Sequence, residues 1–397
     1  MGNDSGNEIR EVRADWLSCP IPEQDQHVSD FGRMQSFDMC LVTIKLENGL
    51  TGCGEAKAAV GSQGSCQALA ALINGEIADL LVAQDGSNIT RIWNRVYNGP
   101  RENFAQSRGR SFPVLGRRGL WISAISGVDL ALWDLAGKRM QQPVINLVGG
   151  AARDSMQGYA SGGWADANNI GEQLASYTTH GFRAVKMRVG VMDETVGNSV
   201  RRVKAARQHL GDDVEIMVDA HGTYSAAEAR DFCRRTADCN LRWFEEPISS
   251  DNRGAMAGVR REAGMAIAMG ESEFTSWDFL DLVDRNACDI LQPDMAICGG
   301  FSEGLHISSL AVANQLELAP HCWGSAISFM AGLTLAFASP AARVIEYSLG
   351  GNPLLHQLVE QSITTSDGNF SAPDQPGWGL TIDQDFVSEY TKPVLSG

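Results

Sequence analysis

Three short apolar runs in the second half of the chain each close on a carboxylate: Val218-Asp219, Trp243-Phe244-Glu245 and Met269-Gly270-Glu271. As neighbouring strands of one sheet they would lie about 5 Å apart, bringing the three acids to one point. Clustered carboxylates raise one another's pKa and cannot all stay ionised without a cation between them. A hard divalent ion with oxygen ligands meets that need and keeps positions open for substrate oxygens. Any one such acid could equally cap the helix that follows it. Three in succession at matched spacing point to a metal site at Asp219, Glu245 and Glu271.

The run before them carries Lys186-Met187-Arg188. Alternation along a strand places both cations on one side and Met187 on the other. Facing the acids, they would hold an anionic group and stabilise charge building on it. A solvated pair is excluded by the apolar setting, Ala184-Val185 before and Val189 after. Later runs end at Asp294, His321 and Glu346. A carboxylate beside an imidazole fixes its tautomer and raises its basicity, which suits His321 to act as a general base. A lone histidine at a strand end is more often structural, and Asp294 one unit earlier and Glu346 one unit later give His321 its weight. His221 lies two residues past Asp219, on the same side of the strand, and could be a second acid/base group. The remaining histidines have no such context, with His27 a weak exception.

These side chains meet only if their runs are adjacent strands. Eight runs alternate with helical segments: Met156–Ser161, Ala184–Arg188, Glu215–Asp219, Leu241–Glu245, Ala266–Glu271, Asp289–Asp294, Leu316–His321 and Arg343–Glu346. From the second run on, their polar ends follow one another at 23 to 33 residues, the length of a strand, a helix and two loops. Near-continuous apolar strands in that rhythm predict a parallel barrel, whose site lies at the C-terminal strand ends. An open doubly wound sheet would want an early Gly-rich phosphate turn, which is missing.

The first part reads as α+β, with strands over 9–17, 40–46 and 50–55 and helices over 65–83, 88–98 and 119–139. Glu47-Asn48-Gly49 is a hairpin signal. The tail from about 355, with Pro373, Pro376 and Pro393, shows no clear helix and is expected to return to the N-terminal region. The expected division is a capping domain over 1–125, a modified (β/α)8 TIM barrel over 126–355, and a returning segment over 356–397.

A formal charge of −16 on 397 residues argues against nucleic acid or an anionic membrane as partner. Apolar stretches such as Ala68–Ile73 are too short for a bilayer. Nine scattered cysteines with no Cys-x-x-Cys pair read as reduced, buried thiols, so a cytoplasmic location is expected.

Several motifs carry a resemblance to the enolase superfamily, mandelate racemase subgroup. They are Thr51-Gly52-Cys53-Gly54-Glu55, the stretch from Ser126 to Asp134 (Ser-Gly-Val-Asp-Leu-Ala-Leu-Trp-Asp), Glu245-Glu246-Pro247, Gln292-Pro293-Asp294 and Ile345-Glu346-Tyr347. The resemblance implies an α/β fold, a modified TIM barrel capped by an α+β domain built from both termini. It implies Mg²⁺ on Asp219, Glu245 and Glu271, and removal of the proton α to a carboxylate to give a stabilised enediolate. Lys186 would contact the substrate carboxylate, Asp294 and His321 would form the dyad, and Glu346 would bond the enediolate. Racemases of this subgroup carry Lys-x-Lys; here the second position is Arg188, a poor base at neutral pH. Asp219-x-His221 is instead similar to sugar-acid dehydratases of the galactonate type. The stretches Gly299–Glu303 and Pro320–Gly324 are similar to galactarolactone cycloisomerases. The expected activity is therefore dehydration of a sugar acid to a 2-keto-3-deoxy acid, with a cycloisomerase or epimerase as the alternative. A non-catalytic sugar-acid binding protein would not need the intact dyad and all three acids. Substrate contacts are expected from cap loops near 21–36 and 58–65, through Gln24, His27, Asp30, Arg33 and Gln63, and from Trp323. The expected partner is a small carboxylate, and the expected assembly a homo-oligomer, dimer to octamer.

Overall fold

The computed structural model describes residues 6–23, 26, 28–30, 32–58, 65–99, 104–110 and 115–394. The N-terminal sheet is antiparallel, in the order Thr391–Lys392, Ile9–Pro20, Ser36–Leu46, Thr51–Ala56. The hairpin forms where the Asn-Gly signal sits: Gly49 has a φ of 87°, and the Asn48 side chain accepts from the Leu50 amide at 2.9 Å. Along Ile9–Pro20 the even positions Val12 and Ala14 join a core with Leu69, Ile92 and Val128 of the cap helices. The odd positions Leu17 and Cys19 join the barrel core instead. One strand thus uses its period of two to serve both domains.

Leu120–Met140 is the helix that couples them. It is long and apolar enough to cross a membrane, which corrects the expectation that every apolar stretch is too short. It is mostly buried inside the protein. The strand Thr51–Ala56 lies directly on its backbone. A Cβ on Gly54 would sit 2.0 Å from the Gly127 carbonyl oxygen, and one on Gly52 would sit 2.3 Å from that of Ala131.

The C-terminal tail does return to the cap, and it contains a helix that the sequence pattern missed. Gln384–Tyr390 is capped by Asp383, whose side chain accepts from the Asp385 and Phe386 amides at 2.9 and 3.0 Å. Seven residues are too few for a helical period to register. Trp378, buried in the same tail, donates from its ring nitrogen to the Leu130 carbonyl at 3.0 Å.

All eight predicted runs form parallel strands of one sheet, the fifth, sixth and seventh shortened to Ala266–Met269, Ile290–Leu291 and Glu317–Leu318, and Asn369–Ser371 adds an antiparallel strand beside the first. The eighth, Val344–Ser348, pairs with the first, Ser155–Ser161. A bridge between Leu318 and Ala342 closes the ring. Inside it lies a layer of one residue per strand: Tyr159, Ala184, Met217, Trp243, Ala268, Ile290, Ala319 and Val344. Tyr159 and Trp243 meet edge to face at 5.2 Å, and three alanines leave them room.

Gly54→Ala should therefore lower the denaturation midpoint, at a cost of about 1–3 kcal/mol or more for forcing strand and helix apart. An unchanged midpoint would refute this backbone contact.

Candidate active site

Two residues beyond the plugging layer, each strand points inward again. The positions are Ser161, Lys186, Asp219, Glu245, Gly270, Gln292, His321 and Glu346, all buried. One pleat step converts an apolar plug into a ring of chemistry. At the fifth strand the inward position is Gly270, with a φ of 132° that other residues rarely adopt, and this bend delivers Glu271 from the next position.

Lys186 stands at the centre. Its ammonium is 2.6 Å from Glu245 Oε1, 2.9 Å from Glu346 Oε1 and 3.5 Å from Asp219 Oδ2. Burial disfavours that charge, but Glu245 and Glu346 more than reverse the effect and hold its pKa well above the ordinary lysine value. Arg188, on the same side of the strand, pairs with Asp219 and donates to His221 Nδ1. Burial opposes the Asp219 charge, yet Arg188, His221 and Lys186 together keep its carboxyl below the usual range. Glu245 goes the other way. Burial pushes it up to about 8, with Asp219 and Glu346 adding to the effect against Lys186. Its second oxygen accepts from Gln292 Nε2 at 2.8 Å and Trp243 Nε1 at 3.1 Å.

His321 faces this group from the far side. Its Nδ1 lies 2.8 Å from Asp294 Oδ2, and its Nε2 is 3.4 Å from Glu271 Oε2 and 4.0 Å from Glu346 Oε2. Burial would lower the imidazole pKa, but Glu271, the bond to Asp294 and Glu346 raise it to about 9. His221 is pushed down to about 4 by burial and by Arg188, against the pull of Asp219. Because a guanidinium only donates, His221 Nδ1 accepts and its ring proton sits on Nε2. That nitrogen is 3.8 Å from Glu271 and 4.0 Å from Asp219.

The donor set fits a divalent cation. Glu271 Oε2 is buried without a hydrogen bond, and the carboxylates outnumber the ammonium between them. Asp219, Glu245 and Glu271 supply the oxygens such an ion prefers. Ligand atoms of Asp219, His221 and Glu271 lie within 4.8 Å of one another, so His221 belongs to the same cluster. Glu245 already accepts from Lys186, Trp243 and Gln292, which leaves about one of its four lone-pair sites, on Oε1, for an ion.

Of the expected substrate contacts, Trp323 lines the cavity with Trp164, Lys186, Arg188, Asp219 and His321, and the two indoles meet edge to face at 5.8 Å. Arg33 does not join them; it is exposed on the two-residue strand Gly32–Arg33. Asp30, another of the expected loop residues, does reach the site, with Oδ1 accepting from the Met192 amide at 3.0 Å and Oδ2 4.0 Å from His221. Gln24, His27 and Gln63 lie outside the described residues. Gln292 and Lys57 also stand at the site without being among the expected site residues. Gln292 was discoverable, since it shares the inward parity of Asp294. Lys57 comes from the cap and carries no local signal.

The chain matches the mandelate racemase / muconate lactonizing enzyme N-terminal domain over residues 18–149 and the enolase C-terminal domain-like family over 169–386. It is 32% identical to arabinonate dehydratase of Saccharolobus solfataricus, over 87% of this chain and 89% of that one. It is 31% identical to D-galactarolactone cycloisomerase of Agrobacterium fabrum, over 89% and 91%. Among solved structures, a racemase from Streptomyces coelicolor with bound magnesium superposes with a TM-score of 0.83 at 29% identity, over 97% of this chain and 100% of that one.

Calorimetric titration with Mg²⁺ separates the two possible third ligands. Glu245→Gln should abolish binding, whereas His221→Asn should weaken it by about 10–100-fold, as for loss of a supporting group. The reverse order would make His221 the ligand.

Proposed function

The chain belongs to the mandelate racemase / muconate lactonizing enzyme family of the enolase superfamily, and we propose that it is a Mg²⁺-dependent sugar-acid dehydratase. One observation carries the reading: a carboxylate cluster with Lys186 at its centre faces a histidine held by Asp294 across the same cavity. That is the layout for taking a proton from the carbon next to a carboxylate. Mg²⁺ on Asp219, Glu245 and Glu271 would supply a Lewis acid for the substrate carboxylate.

The chain's own residues do the rest. Lys186 donates to the carboxylate oxygens and stabilises the second negative charge as it develops. His321 Nε2 takes the proton from C2, while Asp294 holds Nδ1 and fixes the tautomer. The electron pair left on C2 passes into the carboxylate as an enediolate. Its return expels the C3 hydroxyl, protonated by His221, and the enol becomes a 2-keto-3-deoxy acid. His321 must be neutral to start, and Glu271, the bond to Asp294 and Glu346 all favour its protonated form. Compensating the carboxylate charge with a divalent cation favours the base form.

One observation favours the cycloisomerase as second reading. His221 Nδ1 is occupied by Arg188, which leaves the imidazole neutral and a weak proton donor. A leaving group that departs as an anion, such as a lactone carboxylate, would need Arg188 and no acid. Incubating a panel of open-chain sugar acids and lactones, with product analysis by NMR, distinguishes the two. Keto acid from open-chain acids supports the dehydratase, and ring opening of lactones alone replaces it.

His321→Asn should abolish exchange of the substrate α-proton with deuterated water. Exchange that survives would put the base on the Arg188 side. At saturating Mg²⁺, His221→Asn should retain that exchange but slow elimination by about 10²–10⁴-fold, so deuterium enters C2 of recovered substrate faster than keto acid forms. Turnover unaffected by EDTA would remove the metal from the mechanism.

A further inference from the structure

Lys57 follows the last strand of the cap sheet, yet only 8% of it is exposed, and its side chain ends inside the barrel mouth. Its ammonium donates to the Trp323 carbonyl and lies 3.8 Å from Asp294 Oδ2. That oxygen is the one that bonds His321 Nδ1. The backbone is fixed as well, for the Lys57 amide donates to the Ala296 carbonyl at 3.0 Å. Ala296 in turn donates its amide to Asp294 Oδ1 at 2.8 Å. Two residues earlier, Glu55 accepts from the Ser325 amide and hydroxyl and from the Ser328 amide, at the start of the helix after Trp323.

One strand end from the cap therefore grips the loop after His321 at two points and the carboxylate behind His321 at a third. We propose that Lys57 is a positioning residue for proton abstraction: its ammonium ties Asp294 to the Trp323 carbonyl and so holds His321 with Nε2 toward the cavity. Asp294 is 1% exposed, and among the described residues its other partners are His321 and its own loop. A buried carboxylate with too few partners rotates or draws in water, and either change turns the imidazole. Because Lys57 belongs to the cap, seating of the Thr51–Ala56 strand on the barrel becomes a condition for an ordered base. The inference rests on the reading of His321 as that base.

The test uses the full chain with Mg²⁺ and two variants, Lys57→Met and Lys57→Arg. The reporter is the downfield proton resonance of His321 Nδ1–H, assigned by its absence in His321→Asn. Lys57→Met should lose or broaden this resonance and Lys57→Arg should restore it, with Mg²⁺ affinity unchanged in both. With D-galactonate as probe, α-proton exchange should fall by about 10²-fold in kcat for Lys57→Met, as for a base displaced by about 1 Å, with little change in KM. A wild-type resonance in Lys57→Met overturns the inference. Loss in both variants with a lowered melting temperature also overturns it, since Lys57 would then only fill space. If His321→Asn still exchanges the α-proton, the base assignment fails, and the resonance alone still decides whether Lys57 orients the imidazole.

Discussion

In a closed parallel barrel every second residue of every strand points inward, and here that constraint sets both the plug and the reactive ring above it. Tyr159, Met217 and Trp243 fill the interior, and Ser161, Asp219 and Glu245, each two residues on, face the cavity. A slip of one residue would exchange Lys186 for Val185, Asp219 for Val218 and Glu245 for Phe244, putting apolar groups in the mouth and buried charge in the core. The apolar plug therefore fixes the register on which the polar layer depends.

The polar layer carries more negative charge than its cations balance. Lys186 is shared by Asp219, Glu245 and Glu346, and Arg188 is committed to Asp219 and His221. Behind them Glu246 is also buried, and desolvation together with Glu271 pushes its carboxyl well above the usual range. Such crowding is tolerated where a cation or a substrate is meant to enter. Local backbone conformation points the same way. His221 and Glu246, just past two of the acids, hold φ values of 47° and 35°. Such conformations cost about 1–3 kcal/mol each and persist only when the surroundings hold them. Here the His221 amide donates to Asp219 Oδ1 at 2.9 Å and the Glu246 amide to the Ala268 carbonyl at 2.9 Å.

The cap is part of the site rather than a cover over it. Gly52 and Gly54 let one strand sit on the Leu120–Met140 helix, and the same strand sends Glu55 and Lys57 into the barrel mouth. A single backbone contact thus links the packing of the cap to the order of the His321 loop. Asp30 adds a second link from a separate cap segment.

Much of this was legible from the chain alone, because strand periodicity and the types of the terminating residues are local properties. The eight apolar runs, the three acids, the Lys186-Met187-Arg188 alternation and the order of Asp294 before His321 all follow from spacing. What only the tertiary structure decided is which groups share a proton or a charge. No spacing rule could say that Arg188 occupies His221 Nδ1, that Gln292 and Trp243 hold the second oxygen of Glu245, or that Arg33 stays outside while Asp30 reaches in. Lys57 is the clearest case, 237 positions from the Asp294 it faces. Its partner depends on how the cap seats on the barrel, and that packing is fixed by surfaces far apart in sequence. Local chemistry marks the candidates; close packing chooses their partners.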